Sequence, residues 1–168
     1  MNFSVLRNFA YVICMSAAFM AGPAIADGPR LMHKGPIAID LLGKLEWMRC
    51  SIGQFWEEET CKGEPVKLTL SQVPEVAARF EGLDRGGWRL PTRDELESLV
   101  SENDSPPMIK VKTFPMTPPE AYWTSEPNFF NARIHWVVNF YTGYSYGRVF
   151  PNQPQYVRLV RNRKKIRF

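Results

Sequence analysis

Apolar and polar positions alternate most regularly in the last third of the chain. Ile134, Trp136, Val138 and Phe140 interleave with His135, Val137, Asn139 and Tyr141, the period of two that marks a strand. Thr142-Gly143 offers a turn, and Tyr144 to Phe150 alternates again with Tyr144, Tyr146 and Arg148 on one face. After Pro151-Asn152-Gln153-Pro154, the stretch from Tyr156 to Arg161 reads as a closing strand with Val157 and Leu159 turned inward. Three consecutive strands joined by short turns predict an antiparallel meander.

Upstream the period lengthens. Val73, Val76, Ala77 and Phe80 recur at helical spacing and predict a short helix, capped by Ser71, with Pro74 in the first turn where its missing N–H is harmless. In GGWRLPTRDELESLV, residues 86–100, Thr92 and Glu95 form a capping box, and Leu96, Leu99 and Val100 make the buried stripe of a second helix. Gly86-Gly87 turn the chain, Trp88 packs, and Pro91 keeps the approach extended. Residues 102–121 form a Pro-rich connection without period. Leu41 to Cys50 holds a possible strand with Leu45 and Trp47 on one side, preceded by a loosely held lead-in at 27–40. Two short helices followed by a meander predict an α+β domain.

The N-terminus adds a compartment. Arg7, an apolar run from Phe9 to Ala21 broken only by Ser16, and Ala24-Ile25-Ala26 compose a cleavable secretory signal over 1–26. The run is shorter than the ~20 residues of a spanning helix, and Gly22-Pro23 would break its end. Cys14 lies inside that run, away from the cleavage site, which argues against a lipid-modified end. The expectation is an exported protein, periplasmic or at the cell surface, with no transmembrane segment in its mature part. Taking 26 residues from 168 leaves 142, one ordinary domain.

Export gives the cysteines meaning. The mature part keeps Cys50 and Cys61, an even count that reads as a disulfide in an oxidising compartment. The alternatives are free thiols or half of a metal site. Only His33 and His135 supply imidazoles, neither near the cysteines in sequence, so a zinc site lacks ligands.

Charge is uneven. Arg158, Arg161, Arg163, Lys164, Lys165 and Arg167 crowd the last eleven residues, while 27–157 carries 14 bases against 17 acids. The isoelectric point near 9.0 therefore belongs to the tail. Contact with a polyanion and a solvated end are both compatible with such a cluster. Tyr141, Tyr144, Tyr146 and Arg148 suit sugar stacking and anion pairing, while ordinary cross-strand pairing accounts for them equally. No carboxylate pair or Cys/His grouping has the spacing of a catalytic centre, so no catalytic residue and no cofactor is assigned. Glu126-Pro127-Asn128 spells the calcium-and-sugar tripeptide of true C-type lectins. Ca²⁺ needs about six to eight oxygens, and the Trp-Asn-Asp partner motif is replaced here by Trp136-Val137-Val138-Asn139, so no metal site is assigned.

In order along the chain, LEWMRCSIGQFW, Cys61, GGWRLPTRDELESLV, FPMTP, YWTSE, WVVNFYTGY and YVRLVR resemble the family called domain of unknown function 1566. This is the domain at the C-terminus of the Legionella collagen-like adhesin (Lcl C-terminal-like), and the resemblance runs from about residue 40 to 161. It implies a C-type-lectin-like fold, distantly similar to the formylglycine-generating enzymes, which share the RLPT turn. It also implies export and, for the adhesin, binding of sulfated polysaccharides through a trimeric head. This chain has no Gly-x-y stalk, the part that supplies reach and strand register, so trimerisation does not carry over and the oligomeric state stays open. Nor has it a cysteine after Cys61 to match the oxidising enzymes.

These readings divide the chain into a signal peptide (1–26), a lead-in (27–40), the domain (41–161) and a basic tail (162–168). They predict a non-catalytic binding module for an anionic polysaccharide or another envelope polymer. A periplasmic protein–protein interaction subunit is the alternative, and an enzyme distantly related to the formylglycine-generating group the third reading.

Overall fold

The computed structural model describes residues 30–81, 86–103 and 105–163. The signal segment 1–26 and the tail cations Lys164, Lys165 and Arg167 lie outside the described residues. The architecture is α+β and mainly β. One four-stranded antiparallel sheet has the order β1 (Leu31–Lys34), β2 (Ile37–Asp40), β3 (Leu45–Met48) and β11 (Val160–Asn162). A five-stranded sheet has the order β6 (Lys67–Leu68), β10 (Gln155–Tyr156), β7 (Ala121–Asn128), β8 (Asn131–Asn139) and β9 (Tyr144–Val149). A small hairpin of β4 (Phe55–Glu57) and β5 (Thr60–Lys62) stands apart from both. Among the described residues no helix is long and apolar enough to cross a membrane.

Three expectations about the strands need correction. The lead-in is not loose: 31–40 forms β1 and β2, reversed through Gly35 at φ +53°, and Ala38 and Asp40 are wholly buried. Four-residue strands are too short to show a period, which is why the segment reads as punctuation. Second, the antiparallel meander is β7–β8–β9, one strand earlier than the alternation indicates. Third, YVRLVR is not one closing strand. Its first residue ends β10 in the larger sheet, where β10 runs parallel to β7, and its last two residues lie in β11 of the smaller sheet. Between them Val157, Arg158 and Leu159 cross from sheet to sheet with both faces covered, so all three are buried.

Two packed clusters hold the layers together by removing apolar surface from water. Ala38, Trp47 and Val160 of the smaller sheet meet Tyr122 and Val138 of the larger one and Phe140 just after β8, with Ile109 and Phe114 of the connection. Leu96 and Leu99 join them from α2 (Arg93–Glu97) and the turn that follows it. The second cluster gathers Trp123, Val137, Val157 and Leu159 with Ile52, Trp88 and two residues of α1 (Val73–Ala78), Val73 and Ala77.

The helices start as local chemistry dictates, with one change. Thr92 Oγ1 accepts the Glu95 N–H at 3.2 Å and Glu95 Oε2 accepts the Thr92 N–H at 2.8 Å, closing the box. Arg89 adds two hydrogen bonds to the Glu95 carboxylate, and these contacts outweigh burial in holding that carboxyl below its usual range. Ser71 is not the cap of α1. Thr69 opens a single 3₁₀ turn, Leu70–Gln72, whose Gln72 side chain accepts the Thr69 N–H at 2.9 Å, and α1 continues from it.

The disulfide between Cys50 and Cys61 is formed, with a Cα–Cα distance of 5.4 Å. It ties the β4–β5 hairpin to the end of β3.

Candidate functional site

β9 is an edge strand, and its alternation decides which side chains face solvent. Tyr144, Tyr146 and Arg148 are exposed, while Ser145 turns back to donate its hydroxyl to Glu97 Oε1 at 2.5 Å. Tyr141 is exposed in the turn between β8 and β9. That turn is internally braced. The Tyr141 N–H donates to Asn139 Oδ1 at 2.7 Å, the Gly143 N–H to the Asn139 carbonyl at 2.8 Å, and the Tyr144 N–H to Thr142 Oγ1 at 3.2 Å. The Tyr146 hydroxyl donates to Thr142 Oγ1 at 3.2 Å, anchoring one ring over the same turn. Farther along β9, a Cβ at Gly147 would fall 2.8 Å from both Asn128 Nδ2 and the Trp136 ring, so only glycine permits this close packing. The structure thus brings Tyr141, Tyr144, Tyr146 and Arg148 to one rigid edge of the larger sheet.

The basic end does not join them as a block. Arg158 is 0 % exposed, and its guanidinium donates to the Met48 carbonyl at 2.8 Å, the Arg49 carbonyl and Thr117 Oγ1 at 2.8 Å. Arg161 is also buried and pairs with Glu46 at 2.7 Å over the Trp88 ring. Neither is a surface cation, so both leave the set of polymer contacts. They hold backbone and core charge instead. Arg163 is exposed, with its N–H on the Lys44 carbonyl at 2.8 Å.

Glu126 and Asn128 are engaged within the protein. Glu126 Oε2 accepts the Arg93 N–H at 3.3 Å, and Asn128 Oδ1 accepts the Phe130 N–H at 2.9 Å while its amide donates to the Gly147 carbonyl at 2.9 Å. His135 lies half-buried beside Trp123, and desolvation pulls its pKa below the ordinary value. His33 is likewise lowered, by desolvation first and by the nearby Arg49 charge second, and contacts Thr113 Oγ1 at 2.9 Å.

A groove of about 890 Å³ lies where the disulfide-tied hairpin meets the smaller sheet. Ile37, Ile39 and Met48 line it with Trp56 and Trp88, the Glu46–Arg161 pair lies within it, and Lys34 and Arg163 bring two exposed cations. The Arg49 guanidinium stacks 3.9 Å from the Trp56 ring centre and fixes that ring. Sequence reasoning missed this concavity because its lining comes from separate stretches between residues 34 and 163, none of which carries a motif for it. It offers aromatic walls and positive charge, the chemistry of a ring-shaped anionic ligand.

The model of the Lcl C-terminal domain family matches residues 37–161, from the first residue of β2 into β11. No curated protein and no solved structure matches the chain.

Proposed function

The chain belongs to the Lcl C-terminal domain family, and from that premise we propose that it is an exported, adhesin-like, non-catalytic binding module for an anionic carbohydrate or a comparable envelope polymer. The disulfide supports export, since such bonds persist in oxidising compartments. We read the fold as C-type-lectin-like, as the family resemblance implies. The observation that carries the ligand class is the edge of the larger sheet: three exposed tyrosines with Arg148, in a stretch where no Asp or Glu follows Glu126. Tyrosine faces stack on sugar rings, and a guanidinium takes a sulfate or carboxylate in bidentate fashion. That stretch of sequence holds no carboxylate to repel the anion, and Glu97, which meets β9, is engaged by Ser145, whose side chain alternates with those of the tyrosines.

A protein partner is the second reading, favoured by the position of β9 at the edge of its sheet, where an extended segment can add as a further strand. Sulfated, carboxylated and neutral polysaccharides compared on the mature protein separate the two. Retention on the charged polymers, weakened at least about tenfold by Tyr144→Ala with Tyr146→Ala, is the expected result. Equal retention on neutral polymers rules the anionic preference out, and no change in the double variant rules this edge out as the site.

A further inference from the structure

Phe129 and Phe130 form the turn between β7 and β8, and each is 93 % exposed. Two-residue hairpin turns favour Gly, Asn and Asp, so adjacent phenylalanines there are costly to leave in water. The flanking asparagines supply the turn chemistry instead. Asn128 caps the Phe130 N–H and ties itself to the Gly147 carbonyl on β9, and Asn131 Oδ1 accepts the Arg133 N–H at 3.0 Å. The two rings sit edge to face with centroids 5.4 Å apart. They form a single wedge held out by a braced turn.

The surroundings select the occupant. From Pro127 to Phe168 the chain has no Asp or Glu, and Arg133 is exposed two residues after β8 begins. A convex tip of two rings is far smaller than the roughly 800 Å² per partner of a standard protein interface. It suits a bilayer interface, where rings enter the acyl boundary and a nearby guanidinium stays at the phosphates. We propose that the β7–β8 tip inserts into the interface of a bilayer containing anionic lipid, with Phe129 and Phe130 as the wedge and Arg133 on the headgroups. The wedge uses residues other than Tyr141, Tyr144, Tyr146 and Arg148, so the domain would hold its polymer while resting on a membrane.

The mature protein is sedimented with vesicles of phosphatidylcholine plus phosphatidylglycerol, and with phosphatidylcholine alone. Binding to the mixed vesicles is expected, reduced on the order of a hundredfold by Phe129→Ser with Phe130→Ser, about tenfold per buried ring. Arg133→Gln reduces it several-fold on the mixed vesicles alone. Both phenylalanines are exposed, so the double variant keeps its denaturation midpoint and its retention on sulfated polysaccharide. Native protein left in the supernatant with both vesicles overturns the proposal. So does a double-serine variant that sediments like the native protein, or one that loses a protein partner while vesicle binding is unaltered.

Discussion

Arg158→Ala is expected to destabilise the domain by about 3–5 kcal/mol, because it breaks a buried hydrogen-bond network and leaves a cavity. The guanidinium sits wholly buried against the Phe114 and Tyr122 rings, at 4.8 and 5.7 Å, and desolvation lowers its pKa from the ordinary arginine value. It satisfies the carbonyls of Met48 and Arg49 and the hydroxyl of Thr117, with a longer bond to Ser51 Oγ at 3.3 Å. Truncation leaves those acceptors without their donor, at about 1–3 kcal/mol for each group stranded away from water, and opens a cavity. Relief of the buried charge offsets part of this cost. Lysine retains the charge but replaces a planar fork by a single point, so Arg158→Lys should recover less than half of the loss. Chemical denaturation measures both. A midpoint shift worth less than about 1 kcal/mol for the alanine variant would mean that the guanidinium does not organise this crossing.

Loss of the Cys50–Cys61 bond is expected to cost about 3 kcal/mol. The partners lie 11 positions apart in the sequence, and closing a loop of that size removes roughly this much free energy from the unfolded chain. Both cysteines are buried, so serine replacements add the cost of polar atoms placed there. The bond also carries the β4–β5 hairpin, whose Trp56 lies under the Arg49 guanidinium and lines the groove. Denaturation with and without reductant gives the value directly, and the double serine variant should be insensitive to reductant. A native midpoint that ignores reductant would show that the hairpin stays in place without the bond.

Local chemistry was legible in the residues, and long-range chemistry was not. The Thr92–Glu95 box and the buried Leu96 and Leu99 depend on neighbours within one turn, and they stand where their spacing put them. Tyr144, Tyr146 and Arg148 alternate visibly because β9 keeps one side in solvent. β7 escaped detection for the opposite reason: Tyr122, Trp123 and Thr124 are consecutively buried, so a strand covered on both faces shows no period. Arg158 and Arg161 looked like tail cations because arginine is usually exposed. Their acceptors and counter-ion are supplied more than a hundred residues earlier, by Met48, Arg49 and Glu46. Spacing within a terminal segment holds no trace of such partners. The fold class therefore emerged from pattern, whereas the division of the basic end into core and surface required the packed chain.

The tyrosine edge is tested most directly by affinity for heparin across a range of salt concentrations, on the mature protein, the Tyr144→Ala/Tyr146→Ala variant and Arg148→Ala. Polyanion binding releases condensed counter-ions, so log affinity should fall linearly with log salt. The tyrosine variant should bind more weakly at every salt concentration with the slope unchanged, because stacking releases few ions. Arg148→Ala should bind more weakly with a slope shallower by about one ion. Affinity and slope unchanged in both variants would contradict the assignment of this edge as the binding surface.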